Sequence, residues 1–221
     1  GDRPDGGSSI DAGSSTDAGS ATDCRAGDAA LAWTLVVARD AADGEIEPTG
    51  GLFPTGEDNT DYFGAWSTGP TRAFFGFELP SAIPAGSPIA DARLRLFGTA
   101  LSNSGCMPTD EMLILGADVA SASDPASATG YPDGPSGPAA TTATATWRPI
   151  DAWTVDAWNE SPDLSAILAE LVSDHGGLAA GATVQLWLVG ANFSSRSCEW
   201  GAEDFARPTP NHAELVVTFE P

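Results

Sequence analysis

SPDLSAILAELVSDHGGLAAGATVQLWLV, residues 161–189, reads as a helix, a glycine stop and a strand. Ser161 suits an N-cap, and Pro162 suits the first helical position, where a missing N–H costs nothing. Asp163 puts a negative charge at the favourable end of the helix dipole. Leu164, Ile167, Leu168, Leu171 and Val172 recur at i, i+3, i+4, i+7 and i+8, so one face is apolar. Gly176 and Gly177 end the helix. Val184, Leu186 and Leu188 then alternate with Gln185 and Trp187, the period of a strand. No other segment has a convincing helical period, so a mostly β chain must bury this one apolar face.

Outward from that stretch the chain reads as strands joined by long connections. LAWTLVVA, from Leu31, is apolar enough to be buried on both faces. TRAFFGFEL carries Phe74, Phe75 and Phe77 as large core residues. ARLRLFG alternates Leu94 and Leu96 with Arg93, Arg95 and Phe97. EMLILGADV, TTATATW, SCEWGAEDF and HAELVVTF complete the set. Residues 121–140 form a long loop, and residues 39–64 a long acidic one with room for a short strand. Six to nine strands with long loops predict an antiparallel β-sandwich over residues 30–221, with the one amphipathic helix packed on it.

Residues 1–29 differ in kind. They are Gly, Ser, Asp, Ala and Thr with almost no large apolar residue, and DAGSSTDAGSATD is a loose internal repeat. Such a composition buries too little area to offset ordering entropy, so it reads as a flexible tail or spacer. The whole chain has 31 acidic residues against 9 basic ones, a net charge of −22, and every basic residue is arginine. That balance argues against a nucleic-acid partner, which needs cations, and against an anionic membrane surface. No apolar run reaches the roughly 18 residues of a membrane span.

The strand pieces resemble a known family. Arg72-Ala73-Phe74-Phe75-Gly76-Phe77 is followed by the run from Ile83-Pro84 through Gly86 and Ile89 to Ala92-Arg93-Leu94-Arg95-Leu96, and the chain closes on Leu215-Val216-Val217-Thr218-Phe219. TTATATWRPIDAWTVDAWNESPDLSAILAELV carries further motifs of one branch. Together these are similar to the DNRLRE (disaggregatase-related) modules of secreted proteins, over roughly residues 31–221. The resemblance implies a jelly-roll sandwich, a secreted or cell-surface setting and, for some relatives, polysaccharide binding. It implies no catalytic residue.

Two constellations stand out. Asp40, Asp43, Glu45 and Glu47 precede Glu57, Asp58 and Asp61. This run reads either as a solvated acidic loop or as a calcium site, since Ca2+ takes six to eight oxygen ligands. The ligands would then be Asp43, Glu45, Glu47, Asp58 and Asp61. The second constellation is aromatic. Tyr62, Phe63, Trp66, Trp153, Trp158, Phe193 and Trp200 lie near turns or strand ends. Aromatic rings stack on the C–H faces of sugars, so Tyr62, Trp66, Trp153, Trp158 and Trp200 are the expected contacts to a ligand; core packing is the competing reading. His175 sits at a helix end, His212 opens a strand, and no GxSxG elbow is present, so no catalytic residue is assigned.

These readings point to a non-catalytic extracellular module for polysaccharide or another surface. A self-assembling structural or adhesive subunit is the alternative, and a carbohydrate-active hydrolase the third. Cys106 and Cys198 both lie in the folded part, where an exported chain would meet an oxidising compartment, and are expected to pair. Pairing of Cys24, in the tail, with either one is the rival.

Overall fold

The computed structural model describes residues 31–47, 49–53, 60–66, 69–102, 106, 110–148, 152–191 and 198–220. Fourteen strands and one helix occur among them. The strands are β1 (Ala32–Val36), β2 (Asp43–Ile46, after a 3-10 turn at Asp40–Ala42), β3 (Leu52–Phe53), β4 (Thr60–Trp66), β5 (Gly69–Glu78), β6 (Ile83–Pro84) and β7 (Ile89–Ser102). Then come β8 (Glu111–Ala117), β9 (Ala140–Trp147), β10 (Trp158–Glu160), the helix α1 (Ser165–Asp174), β11 (Gly177–Leu178), β12 (Thr183–Ala191), β13 (Cys198–Glu203) and β14 (Glu214–Phe219).

One antiparallel sheet runs β1-β14-β7-β13-β4-β5-β12-β8-β9, with β10 added to β7, β2 to β5 and β3 to β2; β6 and β11 form a separate pair. The sheet curls because two long strands change partners. β7 pairs β14 from Ile89 to Arg95, then β13 from Gly98 to Ser102. β5 pairs β4 at its start and β12 and β2 further on. The turn of the sheet is tight at Gly64, where φ is +128° and a Cβ would lie 2.2 Å from the Cys198 carbonyl oxygen, so only glycine fits.

The curled sheet closes over one core. Ala92, Leu94 and Leu96 of β7, with Leu215 and Val217 of the neighbouring β14, share a single cluster of buried residues with Phe75 and Phe77 of β5 and Leu186 and Leu188 of β12. The period-2 pattern of ARLRLFG is realised as read: its leucines are fully buried and its arginines only half-buried. The fold is therefore an all-β antiparallel sandwich of jelly-roll-like form with one helix.

The helix lies on β7, β8 and β9 and buries Leu164, Ile167, Leu168, Leu171 and Val172, the five apolar positions of its sequence period. Its start is a correction. The first helical residue is Ser165, not Pro162. Residues 158–164 first run along β7: the Ser161 N–H donates to Leu94 O, its hydroxyl accepts from Leu94 N–H, and Leu164 N–H donates to Ala92 O. Those bonds to a neighbouring strand outcompete helix initiation at Ser161. The cap residue is Leu164, without a capping side chain, and Asp163 before it accepts the Ser165 N–H at 2.9 Å. The end falls where expected, with His175 as the cap and Gly176 at φ +66°.

β12 differs from its simple alternation. Gln185 and Trp187 are buried as well as Leu186 and Leu188. The cause is the 118–139 segment, which covers the outer side of this part of the sheet. Trp187, Phe74 and Ile46 form a second small core there, with Tyr131 and Leu115 against it. Arg72 lies over the Tyr131 ring at 4.2 Å, and the Trp187 indole N–H donates to Gln185 at 2.9 Å.

Cys106 and Cys198 are joined by a disulfide, with Cα atoms 4.8 Å apart across 92 residues of sequence. The bond fixes the β7–β8 connection to the first residue of β13. Cys24 lies outside the described residues.

Candidate functional site

The acidic run of the sequence becomes a buried cluster. Asp43 follows the 3-10 turn as the first residue of β2, Asp61 is the second residue of β4, and Asp204 is the residue after β13. One carboxylate oxygen from each lies within 4.8 Å of the others. All three side chains are fully buried. The sheet brings them together: Ala202 of β13 pairs with Asp61 of β4, and Asp43 of β2 pairs with Phe75 of the adjoining β5.

The hydrogen bonds of the cluster are incomplete. Asp43 Oδ2 accepts the Phe205 N–H at 3.0 Å, and Asp204 Oδ1 accepts the Ala206 N–H at 2.6 Å. Asp43 Oδ1, Asp204 Oδ2 and both oxygens of Asp61 are buried with no partner, as is Asp40 Oδ1 beside them. Among the described residues no arginine forms an ion pair with any of the three. His212 is the nearby group whose charge would favour an ionised Asp204.

The electrostatic result follows. Burial, and then the Asp204 charge, push the Asp43 carboxyl up to about 8. Burial and the Asp43 charge push Asp61 well above the usual carboxylate range. Asp204 is raised as well, chiefly by burial. An uncompensated buried carboxylate is expensive, so the cluster must take up protons or a cation. An Asp61–Asp204 hydrogen bond is open to it only when one of the two is protonated.

The five residues expected as metal ligands divide. Asp43 and Asp61 are in the cluster. Glu45 is buried beside it and accepts the Tyr62 N–H, and its charge raises Asp61 further. Glu47 is not one of the three clustered carboxylates: it accepts from the Thr49 hydroxyl, and its charge raises Glu199. Asp58 lies outside the described residues. Asp204 was not expected. Its only local signal is that it is the last acid of the stretch SCEWGAEDF; nothing in the spacing ties residue 204 to residues 43 and 61.

The aromatic residues divide too. Trp200 is fully buried and stacks near Phe63, and Trp153 is buried against Phe63 and Trp147, its indole N–H donating to Ala100 O at 3.2 Å. Both belong to the core: Trp200 is wholly enclosed, and Trp153 is only 7% exposed. Tyr62 is half-buried. The side chain of Trp66, and Phe193 altogether, lie outside what is described. Trp158 on β10 is half-buried on the outer side of the sheet, opposite Phe97 of β7, which meets its ring edge-on at 5.7 Å. The Arg95 guanidinium lies 4.9 Å from the Trp158 ring centre and is ion-paired with Glu214. Trp158, Asn159 and Glu160 also line a shallow cleft of about 130 Å³ with Trp147 and Trp153.

No helix among the described residues is long and apolar enough to cross a membrane. No protein-family model matches the chain, and no curated protein is recognisably similar to it.

Proposed function

We propose that this domain is a non-catalytic extracellular module that binds a neutral polysaccharide, as its resemblance to the DNRLRE modules suggests. The observation that carries the reading is the outer row of Trp158, Arg95 and Glu214 beside the 130 Å³ cleft. An accessible indole stacks on the apolar face of a sugar, while Arg95, Glu160 and Glu214 supply donors and acceptors for its hydroxyls. A net charge of −22 disfavours an acidic glycan, and Arg95 is already paired with a carboxylate. A disulfide between two parts of the folded chain supports an oxidising, extracellular setting.

Affinity electrophoresis through gels loaded with neutral β-glucans, xylans or mannans tests this. The wild type is expected to be retarded by at least one, and Trp158→Ala to lose the retardation at unchanged melting temperature. Equal mobility of the two proteins in every gel overturns it.

Self-assembly is the second reading, favoured by β1. Its sequence AWTLV has no charge and no proline to blunt a sheet edge, it pairs only with β14 among the described residues, and its last residue Val36 and the preceding Leu31 are exposed. Sedimentation velocity over a hundredfold concentration range decides it: growth with concentration that Val36→Lys removes supports assembly, and a constant monomer rejects it.

A further inference from the structure

We propose that Asp43, Asp61 and Asp204 bind one divalent cation, calcium, and that the ion clamps β2, β4 and the turn between β13 and β14 together. The first observation is the geometry: three carboxylates from segments far apart in sequence, with one oxygen of each within 4.8 Å of the others. Oxygens on a common Ca2+ sit at about 2.3–2.6 Å from it, so they lie at most roughly 5 Å apart, and the cluster meets that limit as it stands. The second, independent observation is the set of unpartnered atoms. Both oxygens of the fully buried Asp61, and one each of Asp43 and Asp204, have no hydrogen-bond partner, while the remaining oxygens of Asp43 and Asp204 are held by backbone N–H groups. That division orients two of the carboxylates and leaves the free oxygens for a ligand.

The donor set selects the kind of ion. It is all carboxylate oxygen, which suits a hard cation rather than zinc or copper. Asp40, half-buried with a buried unpartnered Oδ1 of its own, is close enough for its charge to act on both Asp43 and Asp204 and stands next in line as a fourth donor. The positive charge these carboxylates need does not come from an arginine ion pair among the described residues. The consequence for the fold is local. Phe205 and Ala206 hang from two of the proposed ligands, and the turn they begin leads into β14, which lies between β1 and β7 in the sheet. The glycan reading does not depend on any of this.

The test is calcium titration of the full chain after chelation, by calorimetry, thermal melting and amide hydrogen exchange. One saturable Ca2+ per chain is expected. At a hundredfold excess over its Kd the melting temperature should rise by ~5–10 °C, and exchange at Phe205 and Ala206 should slow. Asp61→Asn and Asp204→Asn should each lose the saturable site. Ion-free Asp61→Asn should melt no lower than ion-free wild type, because a buried amide needs neither a proton nor a cation to neutralise it. Weak, non-saturating binding to the acidic surface is expected in all three proteins. The proposal is overturned if the wild type shows only that weak binding, or if either variant keeps the full calcium response. An equal response to Mg2+ overturns the assignment to calcium.

Discussion

The Glu170 carboxylate on α1 accepts the Ala143 N–H of β9 at 2.6 Å, so the helix is hydrogen-bonded to a strand as well as packed on the sheet. β9 is irregular there: Leu115 pairs with Thr144 and Ala117 with Ala140, leaving residues 141–143 opposite Gly116 alone. Such a bulge strands backbone donors. Glu170 takes the N–H groups of both Thr142 and Ala143 and the Thr142 hydroxyl, and Thr141 Oγ1 takes the Gly116 N–H.

Glu170→Gln should therefore destabilise the domain by about 1.5–3 kcal/mol, the range for hydrogen bonds to a charged group. Burial works against the Glu170 charge, but the Ala143 and Thr142 donors outweigh it and hold the carboxyl below its ordinary 4.5. A lowered folded-state value stabilises above the unfolded one and is lost as pH falls through the folded one. The gap between wild type and variant, measured by urea unfolding, should be full at pH 7 and shrink below about pH 4.5. A pH-independent gap would contradict the charge-based account.

Leu168 is only 1% exposed, in the middle of the helix face. Leu168→Ala should cost about 2–5 kcal/mol, and Leu168→Asp, which buries an unpaired charge, should unfold the domain at 25 °C. Far-UV and near-UV circular dichroism check both. A folded Leu168→Asp would mean that the helix does not close the core.

How far sequence reaches is visible in these same elements. The helix face was legible because five apolar residues at a 3.6 period have one structural solution, and β7 because strict alternation has another. The helix start was not, since Ser161 bonds to β7, a partner more than sixty residues away. β12 looked half-exposed because nothing in its own residues announces that the 118–139 segment will cover Gln185 and Trp187. The acidic cluster was half legible for the same reason. Asp43 and Asp61 stand in one acidic run, whereas Asp204 joins them only through the pairing of β13 with β4. Trp153, Trp158 and Trp200 look alike in sequence, and only the closed sheet separates two core rings from the one at the surface.

Glu199 gives a prediction of opposite pH sign. It is buried on β13, accepts the Thr71 hydroxyl at 3.0 Å, and faces the Glu47 charge. Burial first, and Glu47 after it, raise its carboxyl from 4.5 to about 7 despite the Thr71 bond. The folded state thus holds a proton that the unfolded state has lost between those values. That contribution is complete below about pH 4.5 and disappears as pH rises through about 7. Glu199→Gln keeps an acceptor for Thr71 and removes the charge. It should be more stable than wild type at pH 8, by on the order of 3 kcal/mol, and equal to it at pH 4. Urea unfolding at the two pH values reads this directly, and a variant less stable at both would show that the carboxylate is needed charged.

The disulfide supplies the last prediction. It closes a loop of 92 residues, which by chain entropy alone restricts the unfolded state by about 4–5 kcal/mol. Its two ends differ in what their loss does to the folded state. Cys198 is 1% exposed and part of the main core, so replacing it also removes packing. Cys106 is half-buried at the edge of that core. Cys106→Ala should therefore lose mainly the cross-link, Cys198→Ala the cross-link and some core contact, and the double variant little more than Cys198→Ala, because the bond can be lost only once. Melting in the presence of a reductant, with thiols counted to confirm that the bond has opened, should bring the wild type close to Cys106→Ala and leave that variant unmoved. If reduced wild type melts with the oxidised protein, the 106–198 bond adds no stability, and the β7–β8 connection is held by its other contacts.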